Sequence, residues 1–86
     1  MQVDDPALRE TVVSHAKELV AATIANDKGC LGYDFFESTT RAGVYMFCES
    51  WESADALDTH SAASHFVYHV GEIQKLATLK IESFEK

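Results

Sequence analysis

Two adjacent apolar segments, Cys30 to Ser38 and Val44 to Trp51, constrain the fold of this chain more than any other feature. Both are aromatic, β-branched and short-period, and Thr39-Thr40-Arg41-Ala42-Gly43 between them has hairpin length, so an antiparallel hairpin is expected. Both parities are apolar. Leu31, Tyr33 and Phe35 oppose Phe36 on the first strand, while Val44, Met46 and Cys48 oppose Tyr45, Phe47 and Trp51 on the second. A sheet with one wet face alternates more cleanly. Helices cover one face of so small a sheet, and the other is most simply covered by a second copy of the protein. At 86 residues the chain builds a single domain, 1–86, with one core, and is marginal alone, which again favours a homodimer.

The flanking segments supply the helices. Asp5 is an acidic N-cap ahead of Pro6, and Leu8, Val12, His15, Ala16, Leu19 and Thr23 form an inner stripe that runs to Asn26, with Asp27-Lys28-Gly29 as the stop. His15 on that stripe is expected to pack. Ser53 caps a short helix to His60, and a further helix over roughly 62–77 aligns Phe66, Val70, Ile73 and Ala77. Thr78 to Phe84 alternates and is expected to be a closing strand. The fold class is therefore α+β, an antiparallel sheet with helices on one face.

Charge and cysteine usage exclude several functions. The formal net charge is −7, with fourteen acidic against seven basic residues, which repels phosphate backbones and anionic lipid, so neither nucleic acid nor membrane is an expected partner. There is no basic, apolar leader and no apolar run of the roughly eighteen residues a membrane helix needs. Cys30 and Cys48 lack metal-site spacing and are expected to be free, buried and reduced, which suits a cytoplasmic setting. No nucleophile elbow, P-loop or dinucleotide fingerprint occurs.

Three of the four histidines, His60, His65 and His69, fall within ten positions. His65 and His69 are one helical turn apart, a spacing that suits a metal, but the local sequence specifies neither a third ligand nor an acidic partner, so no metal site is expected. At the border of the helical stripe these imidazoles either pack or line a pocket between helix and sheet. Trp51, at the end of the second strand, fills the core or walls that pocket, and Tyr33 offers a phenol and a stacking surface.

Gly29-Cys30-Leu31-Gly32-Tyr33-Asp34, Glu49-Ser50-Trp51-Glu52-Ser53, Ala56-Leu57, His60 and Ser64-His65-Phe66 occur in an order and spacing that strongly resemble the antibiotic biosynthesis monooxygenase superfamily. The resemblance implies a ferredoxin-like protomer in a dimeric α/β-barrel. It also implies oxidation of phenols or quinols by O2 without metal or flavin, so no cofactor is expected. Quinol-type members match best, through Trp51, His60 and His65. On this resemblance His60 or His65 takes the substrate proton, and Tyr33, Trp51 and His69 bind the substrate ring.

The match has departures. Family members open with a strand, for which only Met1-Gln2-Val3 is present here, so a truncated first strand is expected. Phe47 stands where polyketide-tailoring members carry asparagine. The superfamily also resembles isomerases of small phosphorylated sugars and proteins without chemistry. An isomerase of a small phosphorylated or keto metabolite and a non-catalytic dimeric binding or stress protein are therefore the alternatives, the former disfavoured by having only Arg9 and Arg41 for a phosphate.

Overall fold

The computed structural model describes residues 1–77. Helix α1 spans Pro6–Asn26, strands β1 and β2 span Cys30–Glu37 and Tyr45–Trp51, and helices α2 and α3 span Ala54–Ala62 and Ser64–Leu76. The expected closing strand over 78–84 lies outside the described residues.

Each boundary has a local cause. Asp5 is extended and its carboxylate accepts from the Ala7 N–H at 3.0 Å, while Pro6 occupies the first turn, where its missing N–H costs nothing. Gly29 leaves the helix with φ +81°, a conformation open to glycine and strained for other residues. Ser53 caps α2 by accepting from the Ala56 N–H at 3.2 Å. Ala63 is extended and separates α2 from α3, so the second helical segment begins at Ser64.

β1 and β2 pair antiparallel, with Tyr33 opposite Glu49, Asp34 opposite Cys48 and Phe36 opposite Met46, and the register shifts between Cys30 and Gly32. One face carries Tyr33, Phe35, Tyr45, Phe47 and Trp51 and packs under the helices. Val3, Val12, Ala16, Tyr45 and Ile73 form the buried core there. A fully buried Val or Leu side chain contributes about 1.5–3 kcal/mol, so Val12 and Leu19 on the inner line of α1 (Val12, Ala16, Leu19 and Thr23) anchor the layer.

The N-terminal residues lie beside the start of β2. Val3 N–H donates to Gly43 O at 2.8 Å, Tyr45 N–H donates to Met1 O at 2.9 Å, and Gln2 bridges Val44 antiparallel. This is the short stub expected of the first strand. Together these elements form the small α+β layer of the ferredoxin-like class, with helices on one sheet face.

Among the described residues nothing covers the opposite face. Phe36 is 48% exposed, Met46 59% and Leu31, at the register shift, 69%. The cysteine expectation needs correction here: both thiols are free, but Cys48 is exposed and Cys30 only half-buried. Cys48 shares the uncovered face with Met46, and parity rather than apolar character decides its exposure. Its cross-strand partner is Asp34, not Cys30.

Candidate functional site

The site is built where the end of α1 meets α2 and the start of α3. Asp27, the C-cap of α1, accepts from both His60 Nδ1 at 2.5 Å and His65 Nε2 at 2.9 Å through a single oxygen, Oδ2. Burial raises the Asp27 pKa, but the two histidine hydrogen bonds and their charge outweigh it, so the carboxyl lies below its ordinary value. An ionised Asp27 is an acceptor only, which makes His60 Nδ1–H and His65 Nε2–H the donors.

His60 is fully buried, and its Nε2 has no hydrogen-bond partner among the described residues. Its ring lies among aromatic side chains, with centroids 4.7 Å from Trp51, 5.1 Å from Tyr33 and 4.8 Å from Phe66. A buried, unpaired imidazole nitrogen costs about 1–3 kcal/mol. An imidazole fixed by a carboxylate at one nitrogen and bare at the other is arranged to accept a proton. A groove of about 500 Å³, lined in part by Asp27, Lys28, Gly29, Glu52, Ala56 and His60, runs beside this residue, and its imidazole is sealed from solvent.

Glu49 orders the aromatic wall. Its carboxylate accepts from Trp51 Nε1–H at 2.9 Å and lies across the strands from Tyr33. Burial, followed by the Glu49 charge and hydrogen bond, raises the Tyr33 phenol far above its ordinary value, so Tyr33 is a neutral wall rather than a base. The Cys30 thiol is also raised: burial and the charges of Asp27 and Glu49 outweigh the hydrogen bond from Gly32. It is therefore poorly suited to nucleophilic chemistry.

The structure thus brings together four of the five residues singled out in the sequence, Tyr33, Trp51, His60 and His65, and adds Asp27. His69 belongs elsewhere. It is buried against α1, its Nδ1 3.0 Å from Nδ1 of His15, and its Nε2 is 3.7 Å from Glu18 Oε2. The one-turn spacing of His65 and His69 therefore does not give them a shared partner. Asp27 was read in the sequence only as part of a helix stop. The i,i+4 step from Thr23 on the inner line offered a faint signal that it also faces inward.

Asp27, His60 and His65 also have the donor chemistry of a divalent-metal site, with one ligand atom from each within 4.8 Å of the others. Among the described residues no helix is long and apolar enough to cross a membrane.

The sequence profile of the family described as antibiotic biosynthesis monooxygenase matches residues 2–70. Solved structures agree with this match. A conserved Bacteroides thetaiotaomicron protein of unknown function, described as a possible oxidoreductase, is 44% identical with a TM-score of 0.93, covering 99% of this chain and 88% of its own. An antibiotic biosynthesis monooxygenase is 27% identical with a TM-score of 0.80 over 98% and 93% of the two chains. A conserved Methanosarcina mazei protein, 21% identical with a TM-score of 0.84 over 94% and 78%, shares the fold. No curated protein shows significant similarity to the chain.

Proposed function

The chain belongs to the antibiotic biosynthesis monooxygenase family, and from that premise we propose that it is a single-domain, homodimeric monooxygenase that oxidises a small phenol or quinol with O2 without a bound cofactor. The observation that carries this reading is His60, buried, held at Nδ1 by Asp27 and bare at Nε2 beside Trp51 and Tyr33.

His60 Nε2 takes the phenolic proton, and Asp27 stabilises the imidazolium that forms. Trp51 and Tyr33 stack the ring and keep it dry. The phenolate then supplies electrons to O2 itself. A phenol with a free ring position and one O2 yield a quinone and one water, the four electrons leaving the substrate reducing both oxygen atoms. His65, hydrogen-bonded to the same carboxylate oxygen and 18% exposed, returns the proton to solvent. The isomerase alternative draws no support from Arg9, whose Nε–H donates to Val3 O at 3.1 Å and holds the N-terminal stub.

An oxygen electrode with metal-free protein and a panel of quinols and naphthol-type phenols tests the proposal. O2 uptake that survives chelation and falls by about 10²-fold or more in His60→Ala supports it. Uptake abolished by chelation and restored by a divalent metal overturns the cofactor-free scheme and assigns Asp27, His60 and His65 to a metal. No uptake across the panel removes the monooxygenase reading.

A further inference from the structure

A second histidine cluster lies on the contact between α1 and α3, and the function proposed above does not use it. His15 and Glu18 are three residues apart on one face of α1, a spacing that aligns side chains one turn apart. His69 comes to meet them from α3. His15 Nδ1 and His69 Nδ1 stand 3.0 Å apart, His69 Nε2 stands 3.7 Å from Glu18 Oε2, and one ligand atom from each residue lies within 4.8 Å of the others.

We propose that His15, Glu18 and His69 form a binding site for a borderline divalent transition ion such as Zn2+, Co2+ or Ni2+, which clasps α1 to α3. Two imidazoles and a carboxylate are the donor types these ions take. Donors bound at about 2.1 Å to one ion stand roughly 3.0–3.5 Å apart between right-angled and tetrahedral geometry, so the two imidazoles already have the required spacing. Glu18 is 67% exposed and stands beside the other ring nitrogen of His69, Nε2, so a change of rotamer is needed, and is open to it, for its carboxylate to join the two Nδ1 atoms.

The surroundings suit a cation that keeps solvent ligands. His69 is buried and half-buried His15 opens onto a groove of about 510 Å³ lined also by Glu10, Thr11, Ser14, Glu18 and Tyr68, so water reaches the remaining coordination positions. Tyr68 packs edge-on against both imidazoles, with centroids 6.0 Å from His15 and 4.9 Å from His69, which limits their rotation. The chain's net charge of −7 adds long-range attraction for the ion.

The test uses untagged full-length protein titrated with Co2+ and Zn2+, read by calorimetry, the Co2+ visible spectrum and thermal unfolding. One ion per chain is expected, with imidazole-type ligand-field bands. At metal about 100 times Kd the Tm should rise by roughly 10 °C or more. His15→Ala should weaken binding at least tenfold and Glu18→Gln by about tenfold, whereas Asp27→Asn should leave it unchanged. His15 and Glu18 are not fully buried, so both variants should fold, and circular dichroism checks this.

Binding that persists in folded His15→Ala overturns the proposal. Binding lost in Asp27→Asn places the ion in the other cluster and overturns it equally. Absence of binding at about 1 mM metal leaves the pair as an ordinary N–H···N hydrogen bond and also overturns it.

Discussion

Asp27 joins two histidines that lie 33 and 38 positions further along the chain, and replacing it separates positioning from proton transfer. Asp27→Asn keeps the size of the side chain but removes the charge that stabilises a protonated His60. A fall of about 10²-fold or more in kcat is expected, with KM little changed, measured by O2 uptake. The same carboxyl shapes stability against pH. Its folded pKa lies below the ordinary 3.8, so the unfolded chain binds more protons in that range, and the contribution is lost as pH falls through the folded value. Thermal unfolding between about pH 5 and pH 3 should therefore fall less steeply in Asp27→Asn than in the natural chain. In a variant carrying Phe36→Asp and Met46→Lys, whose open sheet face no partner copy covers, alkylation under native conditions should label exposed Cys48 well before Cys30, whose thiol is half-buried and raised; equal rates there would contradict the described burial. As candidates, Tyr33, Trp51, His60 and His65 were legible in the sequence because they sit on local motifs. Asp27 was not, because its role depends on chain closure over more than thirty residues.

Among the elements, the turn after α1 bears most directly on the site. Gly29 has φ +81°, and a Cβ there would stand 2.6 Å from Ala56 Cβ on α2. Gly29→Ala therefore combines backbone strain with a clash against the helix that carries His60. A loss of about 1–3 kcal/mol is expected, or roughly 4–8 °C in Tm per kcal/mol. Gly71→Ala is the control: nothing lies within 4 Å of its added Cβ, and a helix interior gains up to about 1 kcal/mol from the change. Equal destabilisation by both would show that the turn is not special. The helix starts and the hairpin could be read from capping residues and from two aromatic, β-branched segments flanking a short loop, since these are local chemistry. The partition of His65 and His69 could not, because helical spacing shows that two side chains share a face without showing which elements meet that face.

At the scale of the molecule, the sequence already carried the two-sided apolar pattern of the hairpin, and the structure divides it into a covered and an open face. Leu31, Phe36 and Met46 on the open face match the surface that the proposed homodimer would bury. Phe36→Asp and Met46→Lys together should shift the protein from dimer toward monomer in light scattering at micromolar concentration; a natural chain that is already monomeric there would refute the assembly. The chain alone does not reveal what covers such a face, because apolar parity is the same for any partner. One feature of α1 ties core and site together. Val12, Ala16, Leu19 and Thr23 lie along its inner line, and Asp27 caps the same helix one turn after Thr23. A single residue inserted into the last turn would rotate everything beyond it by about 100°. Asp27 would then swing away from His60 and His65, or the buried line would turn toward water. The length of this helix is thus a phase setting: substitutions along its wet side are absorbed singly, whereas an insertion or deletion of one residue puts packing and chemistry out of step.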